Sequence, residues 1–318
     1  MTASNVNRIE GALVLVTGGA GFIGSHLVDG LLSRGAKVRV LDNLETGHIE
    51  NLAHVKGEIE FVEGDIRQLE TCQTSCRGVA FVLHQAALGS VPRSLQQPAE
   101  SILTNVSGTA NVFTAARDQR VKRIVYASSS SVYGTSERLP KREGEEGLPL
   151  SPYALSKQMD EELAAMYVRC FGMQIVGLRY FNVYGARQDP NGPYAAVIPK
   201  FFASCRAGQA PIIFGDGEQS RDFTFVGDVV QANLAALAGV GGEGSAFNVG
   251  AGSRTTVNDL ALAIAGATGF AGKPEHHTTR PGDVLHSIAD TSRIRDTFDW
   301  SASTHLNQGI QVCAQYYA

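Results

Sequence analysis

The run from Leu15 to Gly24, L-V-T-G-G-A-G-F-I-G, constrains this chain more than any other segment. A short apolar stretch, Ala12–Val16, breaks into spaced glycines. It then restarts as a helix carrying Phe22, Ile23, Leu27, Val28, Leu31 and Leu32 at helical spacing, and Gly35 is placed to end that helix. Gly18, Gly21 and Gly24 stand three apart, and Gly19, Gly21 and Gly24 satisfy the G-x-G-x-x-G form. Glycines allow the tight turn and let the backbone approach a pyrophosphate, whose charge is held by free N–H groups at the helix start. The segment therefore predicts a dinucleotide site built from Gly18, Gly21, Phe22, Ile23 and Gly24.

A second strand, Lys37–Leu41, ends at Asp42, followed by Asn43. A carboxylate at that distance from the glycines accepts hydrogen bonds from ribose hydroxyls and repels a 2′-phosphate, which favours NAD over NADP. A third strand, Ile59–Val62, leads into Gly64-Asp65-Ile66, which places Asp65 and Ile66 at the adenine. The plainer reading of Asp65 is a loop cap.

Strand and helix patterns continue to alternate to about residue 180. Further strands are expected at Ala80–His84, Arg123–Ser128 and Gln174–Leu178, with the clearest helices at Asn105–Gln119 and Tyr153–Cys170. Such alternation predicts an α/β fold, a doubly wound parallel Rossmann sheet with ligands at the carboxyl ends of its strands. Past Val183 the alternation weakens, which predicts a smaller mixed α/β substrate-binding lobe. The expected division is residues 1–182 and 183–318, with chain able to cross back between the lobes.

Composition narrows the function classes. The net charge of −4 has acids and bases interleaved, so neither a nucleic-acid face nor a polybasic membrane patch is expected. No apolar run reaches the ~18 residues of a membrane span. Residues Met1–Glu10 are polar, and the five cysteines include no C-x-x-C pair, so free thiols and a cytoplasmic location are expected. No metal site is predicted.

Tyr153-Ala-Leu-Ser-Lys157 carries the second strong signal. Ser151 as N-cap and Pro152 at the first helical position start a helix, and four residues make about one turn, so Tyr153 and Lys157 share a face. A nearby ammonium and a cationic nicotinamide both favour a phenolate, making the pair a general base suited to neutral pH. A surface Tyr and Lys is the plainer alternative. The third signal is Tyr126-Ala-Ser-Ser-Ser-Ser-Val-Tyr-Gly134, whose hydroxyls suit a substrate hydroxyl and its developing ketone; pattern alone does not say which serine acts.

Together these segments resemble the extended short-chain dehydrogenase/reductase family, and within it the NAD-dependent nucleotide-sugar 4-epimerases, over about Ala12 to Asp290. The resemblance implies Ser129, Tyr153 and Lys157 as the catalytic triad. It places Gln85, Ala86 and Ala87 at the nicotinamide ribose and Tyr180 facing the nicotinamide. It implies that the sugar is oxidised at C4 to a transient 4-keto form, turned over and reduced again on enzyme-bound NAD. Related 4,6-dehydratases place an Asp-Glu pair before V-Y-G and related decarboxylases a Glu; Ser130 and Ser131 stand there in this chain, which favours plain epimerisation.

On the substrate side, Gly215–Phe223 resembles the family's diphosphate loop with Arg221 as ligand, joined by Asn182. A guanidinium suits a diphosphate because it donates two parallel hydrogen bonds. Arg280-Pro-Gly-Asp283 resembles the second arginine segment, with Asp283 near the uridine ribose and Phe214 packing on the base. The nearest likeness is to bacterial UDP-N-acetylglucosamine 4-epimerases. That likeness implies Gly89 and Ser90 flanking the sugar, Gln188 near it, Ser130 on the acetamido group, and Ser287 as a small gate residue that leaves room for that group. Capacity for the larger sugar does not exclude UDP-glucose or UDP-glucuronate, and Arg93 is either a ligand for a C6 carboxylate or structural. Net oxidation of a UDP-sugar and a non-catalytic dinucleotide sensor are the alternatives of other classes. Leu155, Met159, Leu163 and Met166 form an apolar stripe that matches the family's homodimer bundle or lobe core alone.

Overall fold

The computed structural model describes residues 8–190, 195–279 and 286–317. Six strands follow the predicted alternation: β1 (Leu13–Thr17), β2 (Lys37–Asp42), β3 (Ile59–Glu63), β4 (Phe81–His84), β5 (Arg123–Ser129) and β6 (Ile175–Tyr180). With Ala246–Val249 they form one seven-stranded sheet, in the order Ala246–Val249, β6, β5, β4, β1, β2, β3. Every pairing in it is parallel. The expected doubly wound Rossmann sheet is therefore the observed one.

The strands are apolar on both faces because helices cover both. Val14 and Val16 enter one core layer with Leu27, Leu31, Val229 and Leu234. Leu15 enters the other, with Val112, Phe113, Ala164 and Tyr167. The two-residue period of a strand makes this division. The first layer is closed by helices Phe22–Leu32 and Val226–Ala238, the second by Gly108–Asp118 and Pro152–Phe171. Strand order reverses between β1 and β4, whose ends are in register at Thr17 and His84. A ligand crevice opens at such a reversal.

Two element boundaries differ notably from expectation. Strand β6 continues through Arg179 and Tyr180, because the Arg179 guanidinium is neutralised in the interior. Its Nε and Nη2 donate to Glu161 at 2.9 and 2.7 Å, and Nη1 donates to Glu146. The helix expected at Asn105 belongs to a helical run that starts at Pro98 and passes through a π turn, Leu103–Ser107. That turn directs Asn105 inward, where Oδ1 accepts from Leu88 N at 2.8 Å and Nδ2 donates to Ser156 Oγ at 3.0 Å.

The portion 183–318 divides between the main sheet and a second core. Helix Val226–Ala238 lies on the main sheet, where a Cβ on Gly30 would meet Val230 at 2.6 Å. Ala246–Val249 then pairs with β6. That helix is buried on nearly all sides, so it carries no polar face to mark it in the sequence. Ile294, Phe298 and Trp300 also join the first core layer, while Tyr184, Phe201, Phe202, Ile213, Leu260, Ile264 and Ile310 form a second core. Among the described residues no helix is long and apolar enough to cross a membrane, and all five cysteines are unbridged.

Candidate active site

A cleft of about 1110 Å³ runs along the carboxyl ends of β1, β2, β4, β5 and β6. Its dinucleotide half is built by the glycine turn. Gly18 adopts φ +68°, and a Cβ on it would lie 2.7 Å from Ala86 N, so this crossing of the two strand ends requires glycine. Helix Phe22–Leu32 begins at Gly21 with no side chain capping it, which leaves its first N–H groups available to an anion. Gly18, Gly21, Phe22, Ile23, Gly24, Asp42, Asn43, Asp65, Ile66, Gln85, Ala86, Ala87, Tyr153, Lys157 and Tyr180 all line the cleft, so the structure brings together every residue expected at the dinucleotide.

Asp42 is pinned by two backbone donors, Ala20 N to Oδ2 and Leu44 N to Oδ1, each at 2.9 Å. Burial pushes its carboxyl up, against those two bonds. Each oxygen keeps a second acceptor position, which suits ribose hydroxyls. Burial also acts to raise Asp65, but hydrogen bonds from Arg67 and Asn43 outweigh it and hold the group below the usual carboxylate range. Its Oδ2 accepts from Arg67 Nη2 at 2.6 Å and Asn43 Nδ2 at 3.1 Å, and Oδ1 accepts from Arg67 N at 2.8 Å. Tyr180 OH is bonded to Asn233, accepting from Nδ2 at 2.9 Å. The uncapped helix, the pinned Asp42 and the glycine crossing fit a nicotinamide dinucleotide.

The serine run resolves into different tasks. Ser128 Oγ donates to Glu161 at 2.5 Å and is committed to the interior. Ser129 ends β5 and accepts from Ser131 N at 3.1 Å, while Ser130 and Ser131 open a short turn over the cleft. Across from them, Ser151 caps helix Pro152–Phe171 by accepting from Ala154 N at 3.1 Å. Tyr153 and Lys157 follow one turn apart and both line the cleft. Lys157 is 3% exposed, and its Nζ donates to Ala127 O at 3.0 Å and Asp160 Oδ2 at 3.2 Å.

At the substrate end, Gly89, Ser130, Asn182, Gln188, Arg221 and Ser287 line the same cleft. Asn182 takes φ +32° and donates to Asp222 O at 3.1 Å. Gln188 donates to Val183 O at 3.3 Å, and its Oε1 is buried with no hydrogen-bond partner among the described residues. Two expected residues are placed elsewhere. Ser90 does not line the cleft; its Oγ accepts from Arg93 N and caps helix Val91–Gln96. Phe214 lies against His277 at 6.0 Å between ring centres, off the described cleft wall. Arg93 pairs with Glu45 at 2.5 Å, which favours its structural reading. Arg280 and Asp283 lie outside the described residues.

Sequence reasoning missed Glu45, Thr46, Leu95, Thr104, Lys141 and Leu150 on the cleft wall. Glu45 and Thr46 follow Asp42 closely enough to have been suspected. Lys141 reaches the site only because its backbone pairs with Ile288 and Asp290, a long-range register with no local signal.

Residues 14–250 match the model of the NAD dependent epimerase/dehydratase family, and the chain belongs to that family. The putative UDP-glucose 4-epimerase of Methanocaldococcus jannaschii is 41% identical over 301 residues, covering 94% of this chain and 96% of the relative. The structure of UDP-N-acetylglucosamine 4-epimerase from Methanobrevibacter ruminantium, in complex with UDP-N-acetylmuramic acid, superposes with TM-score 0.93 at 35% identity, covering 97% and 98% of the two chains. That of Thermus thermophilus UDP-glucose 4-epimerase in complex with NAD gives TM-score 0.87 at 36% identity, covering 96% and 98%. The resemblance to extended short-chain dehydrogenase/reductases, the UDP-sugar 4-epimerase class and the NAD cofactor therefore hold.

Proposed function

We propose that this enzyme interconverts UDP-N-acetylglucosamine and UDP-N-acetylgalactosamine at C4. The observation that carries the choice of sugar is Ser287, a small side chain on the cleft wall at the substrate end. Its place is fixed by a hydrogen bond from Ser287 N to Ser220 O at 3.1 Å. A serine leaves volume for an acetamido group, and Ser130 and Gln188 line the same cleft and supply polar atoms. UDP-glucose is the second reading, favoured by the name of the M. jannaschii relative.

Bound NAD supplies the two-electron acceptor and donor for C4. Tyr153 takes the proton of the C4 hydroxyl and later returns it, with Ser129 orienting that hydroxyl. Lys157 is held from behind by Ala127 O and Asp160, so the ammonium proton that remains faces the cleft. Asn182 and Arg221 hold the diphosphate, and the sugar is gripped less firmly so that it can turn over. Arg280 and Asp283 keep their roles as proposed ligands of the diphosphate and the uridine ribose.

The test is sugar-proton NMR with UDP-N-acetylglucosamine, UDP-glucose and UDP-glucuronate, no NAD being added. Formation of the galacto epimer fastest from the acetamido sugar supports the reading. Fastest conversion of UDP-glucose replaces it with the second. Ser287→Tyr is expected to lower kcat/KM for the acetamido sugar by about 10-fold or more and to spare UDP-glucose, since one badly filled subsite discriminates by that order.

The enzyme is further proposed to act as a homodimer, joined through the helices Pro98–Asp118 and Pro152–Phe171. Leu103, Leu155 and Met159 expose 51%, 41% and 39% of their surface there, while Leu163 and Met166 pack inward. Leu155→Glu combined with Met159→Glu is expected to halve the mass measured by analytical ultracentrifugation. Unchanged mass would place the dimer contact elsewhere.

A further inference from the structure

A buried acid stands directly behind the catalytic ammonium. Asp160 has no exposed surface, and its Oδ2 accepts from Lys157 Nζ at 3.2 Å. The other oxygen, Oδ1, is buried without a hydrogen bond of ordinary geometry, although the neighbouring Thr109 hydroxyl also favours the ionised form. Burial pushes this carboxyl up to about 6, against the pull of Lys157 and Thr109. A half-satisfied buried carboxylate weakens a fold, so packing alone gives no reason for an acid here.

The acid also stands beside the end of a chain of hydrogen bonds. Thr109 Oγ1 lies 3.0 Å from His84 Nε2, His84 Nδ1 lies 2.6 Å from Thr17 Oγ1, and Thr17 Oγ1 accepts from Ala86 N at 3.3 Å. Burial, then the charge of Lys157, pulls His84 down to about 3, so its ring is neutral. An ionised Asp160 can only accept. The Thr109 hydroxyl therefore turns its hydrogen toward the acid and accepts from Nε2–H, which leaves Nδ1 to accept from Thr17. The chain joins the Ala86 wall of the cleft to the back of Lys157.

We propose that Asp160 is the counter-ion of Lys157 and, as a positioning residue, governs how readily Tyr153 gives up its proton. With the carboxylate present the ammonium is already neutralised, so forming the phenolate leaves a net negative group of three. Without it the phenolate becomes the counter-ion and forms more easily. The other groups around Asp160 keep their charge in the exchange. Glu161 is paired with Arg179 on β6, Glu162 follows it on the same helix, His84 on β4 is neutral, and burial keeps Tyr126 on β5 protonated.

The inference rests on Tyr153 being the base, which Tyr153→Phe tests separately. The deciding measurement is the pH profile of kcat for C4 epimerisation in the wild type and in Asp160→Asn. The acid-side half-point is expected to move down by about one pH unit or more in the variant, the size expected on removing an adjacent charge. A rate lowered equally at every pH, with the half-point fixed, overturns the proposal. If Asp160→Asn does not fold, Thr109→Val provides the same reading. It removes one group that favours the ionised carboxyl and is expected to move the half-point in the same direction by less, while Thr109→Ser keeps the wild-type profile. No displacement in Thr109→Val overturns the proposal equally.

Discussion

Tyr153→Phe is expected to lower C4 epimerisation by about 10²- to 10⁴-fold, the contribution typical of a positioned general base. It leaves the fold and the bound NAD in place. The expectation follows from position. Tyr153 is half-buried on the first turn of helix Pro152–Phe171, a turn fixed by the Ser151 cap, and it lines the cleft with Lys157 one turn on. Removing one oxygen changes no backbone contact, so the loss falls on kcat with little change in NAD content. Circular dichroism and the NAD absorbance of the purified variant separate this from unfolding. A variant that keeps full turnover refutes the base assignment.

The second large effect is on the cofactor site. A Cβ on Gly24 would lie 2.0 Å from Gly18 O, 2.8 Å from Gly18 C and 2.8 Å from Gly19 Cα. All three are backbone atoms of the phosphate turn, so no side-chain rotation relieves the clash. Gly24→Ala must push helix Phe22–Leu32 away from β1, at a cost of about 3 kcal/mol, the upper range for overpacking. The N–H groups that face the cleft move with it, and NAD is expected to be lost on gel filtration. Gly57→Ala is the control. A Cβ there meets nothing within 4 Å, and the change is expected to stay within about 0.5 kcal/mol. Urea unfolding and NAD content of the two variants check both statements; retained NAD in Gly24→Ala would contradict the reading of the turn.

The parts of the site that were legible in the sequence are local. The glycine turn, Asp42 and the Tyr153–Lys157 pair each declare themselves within one strand, one turn or one helix, where spacing and geometry are the same thing. What escaped depends on contacts across the fold. Arg179 and Tyr180 extend β6 because Glu161, from another element, neutralises a buried guanidinium. Lys141 enters the cleft through a backbone register with Ile288 and Asp290. Helix Val226–Ala238 is apolar around most of its surface, so its place on the main sheet has no amphipathic signature. The resemblance implies Ser90 as a sugar contact, whereas its Oγ accepts from Arg93 N and caps the helix that follows, off the described cleft wall.

The central claim is that the hydrogen on C4 leaves the sugar and comes back to the same carbon with its face reversed. The most direct measurement uses UDP-hexose carrying deuterium at C4, incubated with the enzyme to equilibrium in ordinary water and examined by proton NMR and mass spectrometry. Both epimers are predicted to keep the deuterium in full. Deuterium lost to water in step with turnover would show that C4 exchanges with solvent, and would contradict the account.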